Sequence, residues 1–269
     1  MRARLLLSVL ILSLGGALLA HDFWLVPPAG RATAGAPLTV EIAVGMDFPR
    51  SESAVKPERL APRALGPGGR EAPVALERRE AEERTLATFT PDAPGAWVLA
   101  VQTQPSRLEL DAIKFNDYLL HDGLPQVLAA RMDAGEMDQP STEQYSRSVK
   151  TLIAVGEGVD GVSFTKPVGQ TLEIVPLADP LAVRAGQALQ VQVLFRGAPL
   201  PGARLGWDVP GNGEILAGET WTDAEGRCWV PIGQPGLFML RLIHMTRPRA
   251  ADFEWESFWA SLTFRVVES

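Results

Sequence analysis

The 269-residue chain carries one cysteine, three histidines and two tyrosines, and beyond its first 20 residues no apolar run approaches the roughly 18 residues that suggest a membrane-spanning helix. Cys228 alone cannot close an internal disulfide, and no CxxC pair exists for zinc or thiol exchange, so stability must come from packing. Basic residues are in deficit. The formal charge is −7, and without residues 1–20, whose only charges are Arg2 and Arg4, 23 basic residues face 32 acidic ones. Such a surface repels phosphate, which argues against nucleic acid or an anionic membrane face as partner. The chain also lacks a G-x-S-x-G elbow, an H-E-x-x-H pair and a G-K-S/T loop, leaving no motif for a hydrolase or nucleotide enzyme. Gly156 to Gly161 spells G-x-G-x-x-G but leads into Val162 to Thr165 rather than a helix. Glu157 and Asp160 would repel a pyrophosphate there, so it reads as a loop.

What is present is 46% hydrophobic residues punctuated by 25 Gly and 22 Pro, enough for at least one full core built of short elements. Arg2 and Arg4 precede an apolar run from Leu5 to Leu19, the pattern of a secretory signal over residues 1–20, which predicts an exported, periplasmic protein with no membrane span after cleavage. Ala20 suits the −1 position although Leu18 at −3 is bulky; a cut after Ala17, with Gly15 at −3, fits the small-residue rule better. The choice has a chemical consequence, since only the cut after Ala20 makes His21 the new N-terminus.

Leu38, Val40, Ile42 and Val44 alternate with smaller or polar neighbours, as do Arg84 to Thr90 and Trp97 to Thr103, the period of two of half-buried strands. Residues 50–73, rich in proline and poor in large apolar side chains, read as an exposed loop. The period changes over about 108–135, where Phe115, Tyr118 and Leu119 share a helical face, Gly123 stops it and Pro125 opens a second short helix. Tyr145 to Val155 returns as a strand. Beyond a linker, Val191, Val193 and Phe195, then Phe238, Leu240, Leu242 and His244, then Phe258 to Val266 alternate again between Gly/Pro/Asn/Asp turns. The expectation is an all-β chain of two tandem Ig-like β-sandwich domains, residues 21–168 with a short helical insertion and residues 170–269 without one. Cys228 reads as a buried thiol, and Trp24, Trp97, Trp229 and Trp259 as core or interface residues.

Several segments together carry a resemblance: His21-Asp22-Phe23-Trp24-Leu25, Pro199-Leu200-Pro201-Gly202-Ala203, Thr222 to Arg227, His244-Met245 and Trp255 to Phe264. In these the mature chain resembles the DUF4198 family of exported bacterial proteins. That resemblance implies metal handling, through the family's label as a periplasmic component of nickel or cobalt uptake. Gln190 to Met245, with its Thr-Asp-x-x-Gly hairpin, is also similar to the transthyretin-like or carboxypeptidase-regulatory sandwich.

The three histidines are the first candidates for ligands. A His at a free N-terminus offers its α-amine and Nδ1 to one ion, a chelate that favours copper or nickel, and both groups deprotonate at modest pH. His21 qualifies if the signal is cut after Ala20. His244 ends the inward row of its strand, at the core or at its rim, and His121 falls in the last turn of the expected helix, where the dipole also favours it. Asp22, Glu254 and Glu256 are the nearest carboxylate candidates in the sequence. The reading is a non-catalytic binder of a divalent transition metal (nickel, cobalt, copper or zinc) that serves uptake or trafficking with an envelope metal transporter, holding the ion through His21, His244, Asp22 and His121. The alternatives are an envelope adhesion module without metal and a copper oxidase built on an N-terminal His brace. A shared site requires His21 and His244 to meet.

Overall fold

Leu38, Val40, Ile42 and Val44 do bury one face of their strand in the computed structural model, which describes residues 21–211 and 214–267. The expected signal and its cleavage site, with the Asn212-Gly213 part of one expected turn, lie outside those residues. In chain order the first half contains β1 (Asp22–Val26), β2 (Leu38–Gly45), β3 (Leu60–Leu65), β4 (Glu71–Ala72), β5 (Ala75–Arg79), β6 (Arg84–Phe89), β7 (Gly95–Thr103) and β8 (Ser106–Leu110). Helices α1 (Ala112–His121) and α2 (Pro125–Asp133) follow, then β9 (Ser141–Val155). The second half contains β10 (Leu172–Pro176), β11 (Gln187–Phe195), β12 (Ala198–Pro199), β13 (Arg204–Pro210), β14 (Ile215–Trp221), β15 (Arg227–Ile232), β16 (Gly236–Thr246) and β17 (Trp255–Val266). The protein is all-β with a sandwich arrangement, 49% of the described residues lying in strands and 13% in helices, 3-10 turns included.

These strands make three layers. A nine-stranded sheet runs β14-β13-β16-β17-β9-β7-β3-β4 with β8 beside β9, and the outer sheets are β1-β2-β6-β5 and one in which β10, β12 and β15 pair with β11. The middle sheet takes strands from both halves because β17 and β9 pair in parallel, Trp255 opposite Glu143 through Thr263 opposite Thr151. Alternation then sends neighbouring residues of one strand into different cores. Trp97, Leu99 and Val101 of β7 join the core under the first outer sheet, whereas Ala96 and Val98 join the core under the second. The two outer sheets therefore cover opposite faces of a shared middle layer. On the first face β1 crosses β17, held by Ser261 Oγ donating to the Phe23 carbonyl and Thr263 Oγ1 to that of Leu25, both at 2.7 Å.

One buried ion pair ties the second outer sheet to the middle layer. Lys150 on β9 and Glu173 on β10, side chains each 2% exposed, lie 2.5 Å apart, and Glu173 also accepts the amides of Val168, Gly169 and Gln170. The Thr-Asp-x-x-Gly hairpin is likewise structural. Asp223 Oδ1 accepts the Glu225 and Arg227 amides, and Gly226 (φ +70°) leaves room where a Cβ would meet the Val193 carbonyl oxygen at 2.8 Å.

The helical insertion starts at Asp111, whose side chain accepts the Lys114 amide, and buries Phe115, Leu119, Leu124 and Val127 against Met245 and Trp255. Residues 50–73 depart from the expected loop. They contain β3 and β4, with Leu60 and Ala64 buried, and Pro62 sits where β3 has no outer partner, the place strands tolerate proline. Cys228 is buried, as expected. Trp24, Trp97 and Trp259 are core residues, but Trp229 is 57% exposed because its side of β15 has no covering layer.

Candidate functional site

His21 leads into β1 and is held from two directions. Its carbonyl accepts from Arg147 Nη2 at 3.0 Å, and its Nε2 lies 3.3 Å from Glu52 Oε2. Glu52 is itself oriented, since its Oε1 accepts the Met46 amide and its own amide donates to the Val44 carbonyl. A carboxylate beside Nε2 favours the proton on that nitrogen, which leaves the lone pair on Nδ1. Nδ1 is buried and has no hydrogen-bond partner among the described residues.

Asp22 turns to the opposite side of the strand. Its Oδ2 lies 3.2 Å from Arg241 Nε, which also bonds Asp208 Oδ2 at 2.7 Å. Burial raises the Asp22 carboxyl above its ordinary value against the pull of Arg241, and the 3.2 Å contact commits that oxygen to the guanidinium. Asp22 lines a cleft of about 400 Å³ together with His121, Asp122, Arg204, Glu219 and Arg241, floored by Gly206 and Gly218. Glu219 is taken by Arg204 at 2.6 Å. Asp122 keeps a buried oxygen without a partner, and burial above all raises its carboxyl to about 6. Among the described residues the cleft thus offers only His121 and Asp122 as uncommitted donors. No group of three or more His, Cys, Asp or Glu placed to hold a metal occurs among the described residues.

His244 is elsewhere. It shares the face of β16 whose Phe238, Leu240 and Leu242 fill the core under the second outer sheet, but it is itself half-buried at the edge of that core, where its ring meets Phe195 edge-on at 4.5 Å. Burial first, then Arg196, lowers its pKa. His21, Asp22 and Arg147 belong to the other face, so the middle sheet stands between His21 and His244, and the expected approach of the two is not made. A His brace, which needs a second histidine beside the first, gains no partner from His244. Glu254 is spent on Ser141 and the Thr142 amide, and Glu256 pairs with Arg196.

The structure therefore brings Asp22 and His121 to one cleft and leaves His21 and His244 apart. Sequence reasoning missed Glu52, Asp122 and Arg147. Asp122 had one available signal, the second His-Asp pair at 121–122; Glu52 and Arg147 acquire their roles only through contacts 31 and 126 residues away.

The fold puts this chain in the class of layered β-sandwich proteins. It belongs to the DUF4198 family, whose model, described as a domain of unknown function, matches residues 18–246. No curated protein matches the chain. Similar solved structures include the D0-D1 domain of intimin (14% identity, 90% of this chain and 97% of that chain, TM-score 0.23). A DUF4785 family protein from Legionella pneumophila is 12% identical over 77% of this chain and 45% of that chain, with a TM-score of 0.28. The Lin-41 filamin domain is 13% identical over 30% of this chain and 74% of that chain, at 0.24. Likenesses at this level extend to neither site nor activity.

Proposed function

We propose that the mature protein is an exported, non-catalytic binder of a divalent transition metal, with His21 as its primary ligand. The observation that carries the reading is the His21 ring, which has a carboxylate beside Nε2 and a buried, unpartnered Nδ1. Cleavage after Ala20 would add the α-amine of the same residue, and a nitrogen chelate of this kind suits nickel or copper. Two protein donors leave the remaining positions to water or to a donor from a partner, which suits capture and hand-over to an envelope transporter.

The test is calorimetric titration with Ni²⁺, Co²⁺, Cu²⁺ and Zn²⁺ of protein beginning at His21, beside protein carrying a short Gly-Ser extension before it. Blocking the amine is expected to weaken the tightest-bound metal at least tenfold, about 1.4 kcal/mol. His21→Ala should do the same, and His244→Ala should leave affinity unchanged. Equal affinities for the free and extended N-termini would sink the reading.

A second reading, an envelope-interaction module, is favoured by Trp221 and Trp229, which stand 50% and 57% exposed on β14 and β15. Retention of the wild type on isolated cell-envelope fractions, lost in Trp221→Ser/Trp229→Ser, would put it first.

A further inference from the structure

Beside α1 lies a second cavity, of about 260 Å³, whose walls include Tyr118, Tyr145 and Trp259 and whose lining includes Glu143. The Tyr118 and Trp259 rings are parallel within 2°, with centroids 6.2 Å apart. Glu143 is 1% exposed. Its Oε1 accepts from the Ser257 hydroxyl and, at 3.3 Å, from Tyr118 Oη, while its Oε2 is buried with no partner among the described residues. Among the described residues no cation lies within ion-pair distance of it, and the charge of Arg147 offsets only part of what burial does to its carboxyl. Lys114, at the same cavity, is 68% exposed and pairs with Asp111, and Arg147 donates to the His21 carbonyl.

A buried carboxyl with an unused oxygen is costly, and a purely structural role would be served by an apolar side chain. Aromatic ring faces carry negative electrostatic potential and attract cations. The Tyr145 and Trp259 faces already do so, with the Arg147 guanidinium over them at 4.9 and 5.3 Å. Among the described residues no three of the His, Asp and Glu side chains here are placed to hold one metal ion, and an anion would meet Glu143, Asp117 and Asp122. The volume falls just below the range of about 300–1,000 Å³ that suits drug-sized ligands, so the occupant is small.

We propose that this cavity binds a compact organic cation of the alkylammonium class, its charge set against Glu143 and its alkyl groups against Tyr118, Tyr145 and Trp259. Burial raises the Glu143 carboxyl to about 7, and a bound cation would hold it ionised at neutral pH. The site is independent of His21, and its ligand is not a metal, so failure of one reading leaves the other standing.

The experiment titrates the full mature chain with tetramethylammonium at constant ionic strength, following the Trp259 indole N–H by NMR. The controls are K⁺ and the neutral isostere tert-butanol. Saturable binding of tetramethylammonium, at least tenfold tighter than either control, is expected. Glu143→Gln should lose at least tenfold in affinity and Tyr145→Leu, on a half-buried wall position, severalfold. An equal response to tetramethylammonium, K⁺ and tert-butanol overturns the proposal. So does unchanged affinity in Glu143→Gln. Should that variant fail to fold, Tyr145→Leu and the neutral isostere decide the matter alone.

Discussion

Lys150→Met is expected to lower unfolding stability by about 3–5 kcal/mol, because removing one partner of a buried ion pair leaves the other charge uncompensated. The stranded group is Glu173, 2% exposed on its side chain and bonded to three successive amides of the 168–170 segment. For a chain of this size the loss corresponds to a fall in Tm of roughly 6–20 °C, readable by calorimetry or denaturant titration. Two second-site variants make the cause specific. Lys150→Met/Glu173→Gln removes both charges but keeps an oxygen for the amides, and should recover most of the loss. Lys150→Met/Glu173→Leu orphans three buried N–H groups and should not. A single-variant loss under about 1 kcal/mol, the range of exposed pairs, would show that the pair is not the tie between layers described above.

Glu143→Gln is expected to do the opposite, and only at neutral and alkaline pH. The folded protein holds this carboxyl at about 7, mainly through burial, against 4.5 for the ordinary group. Between those values the native state binds more protons than the unfolded state, so stability falls as pH rises from about 4.5 to about 7 and is level above. The difference sets an upper bound of about 3 kcal/mol. The variant should match the wild type near pH 4 and exceed it by about 2–3 kcal/mol at pH 8. Asp122, raised to about 6, bends the wild-type curve in the same direction, and because its charge also raises Glu143 the variant relieves part of that bend as well, which adds to the difference in the same sense. A difference that stays flat from pH 4 to pH 8 would contradict the assignment. A glutamate whose ionised form weakens the fold is explained by a ligand, and the same variant that gains stability should lose the ammonium ion.

The sequence alone determined the strands, because alternation with period two is a local signal: Leu38 to Val44, Trp97 to Thr103 and Phe238 to His244 can be read without knowing what covers them. It also placed the helical insertion, through the switch to 3.6-residue spacing and the Gly123 and Pro125 signals, and the buried thiol of Cys228. Alternation states that a strand has two faces. It is silent on which layer covers each, so the parallel pairing of β9 with β17 emerged only in three dimensions. That sharing puts His244 at the edge of one core and His21 on the opposite face of the sheet, and it separates two histidines whose strand-end positions made a joint site reasonable. The same limit explains the strands within 50–73, where proline masked Leu60 and Ala64, and the exposure of Trp229. The chemistry of Glu143 is also tertiary. Its neighbours come from a helix 25 residues upstream and a strand 114 residues downstream, and the pKa of a carboxyl depends on what surrounds it rather than on what precedes it in the chain.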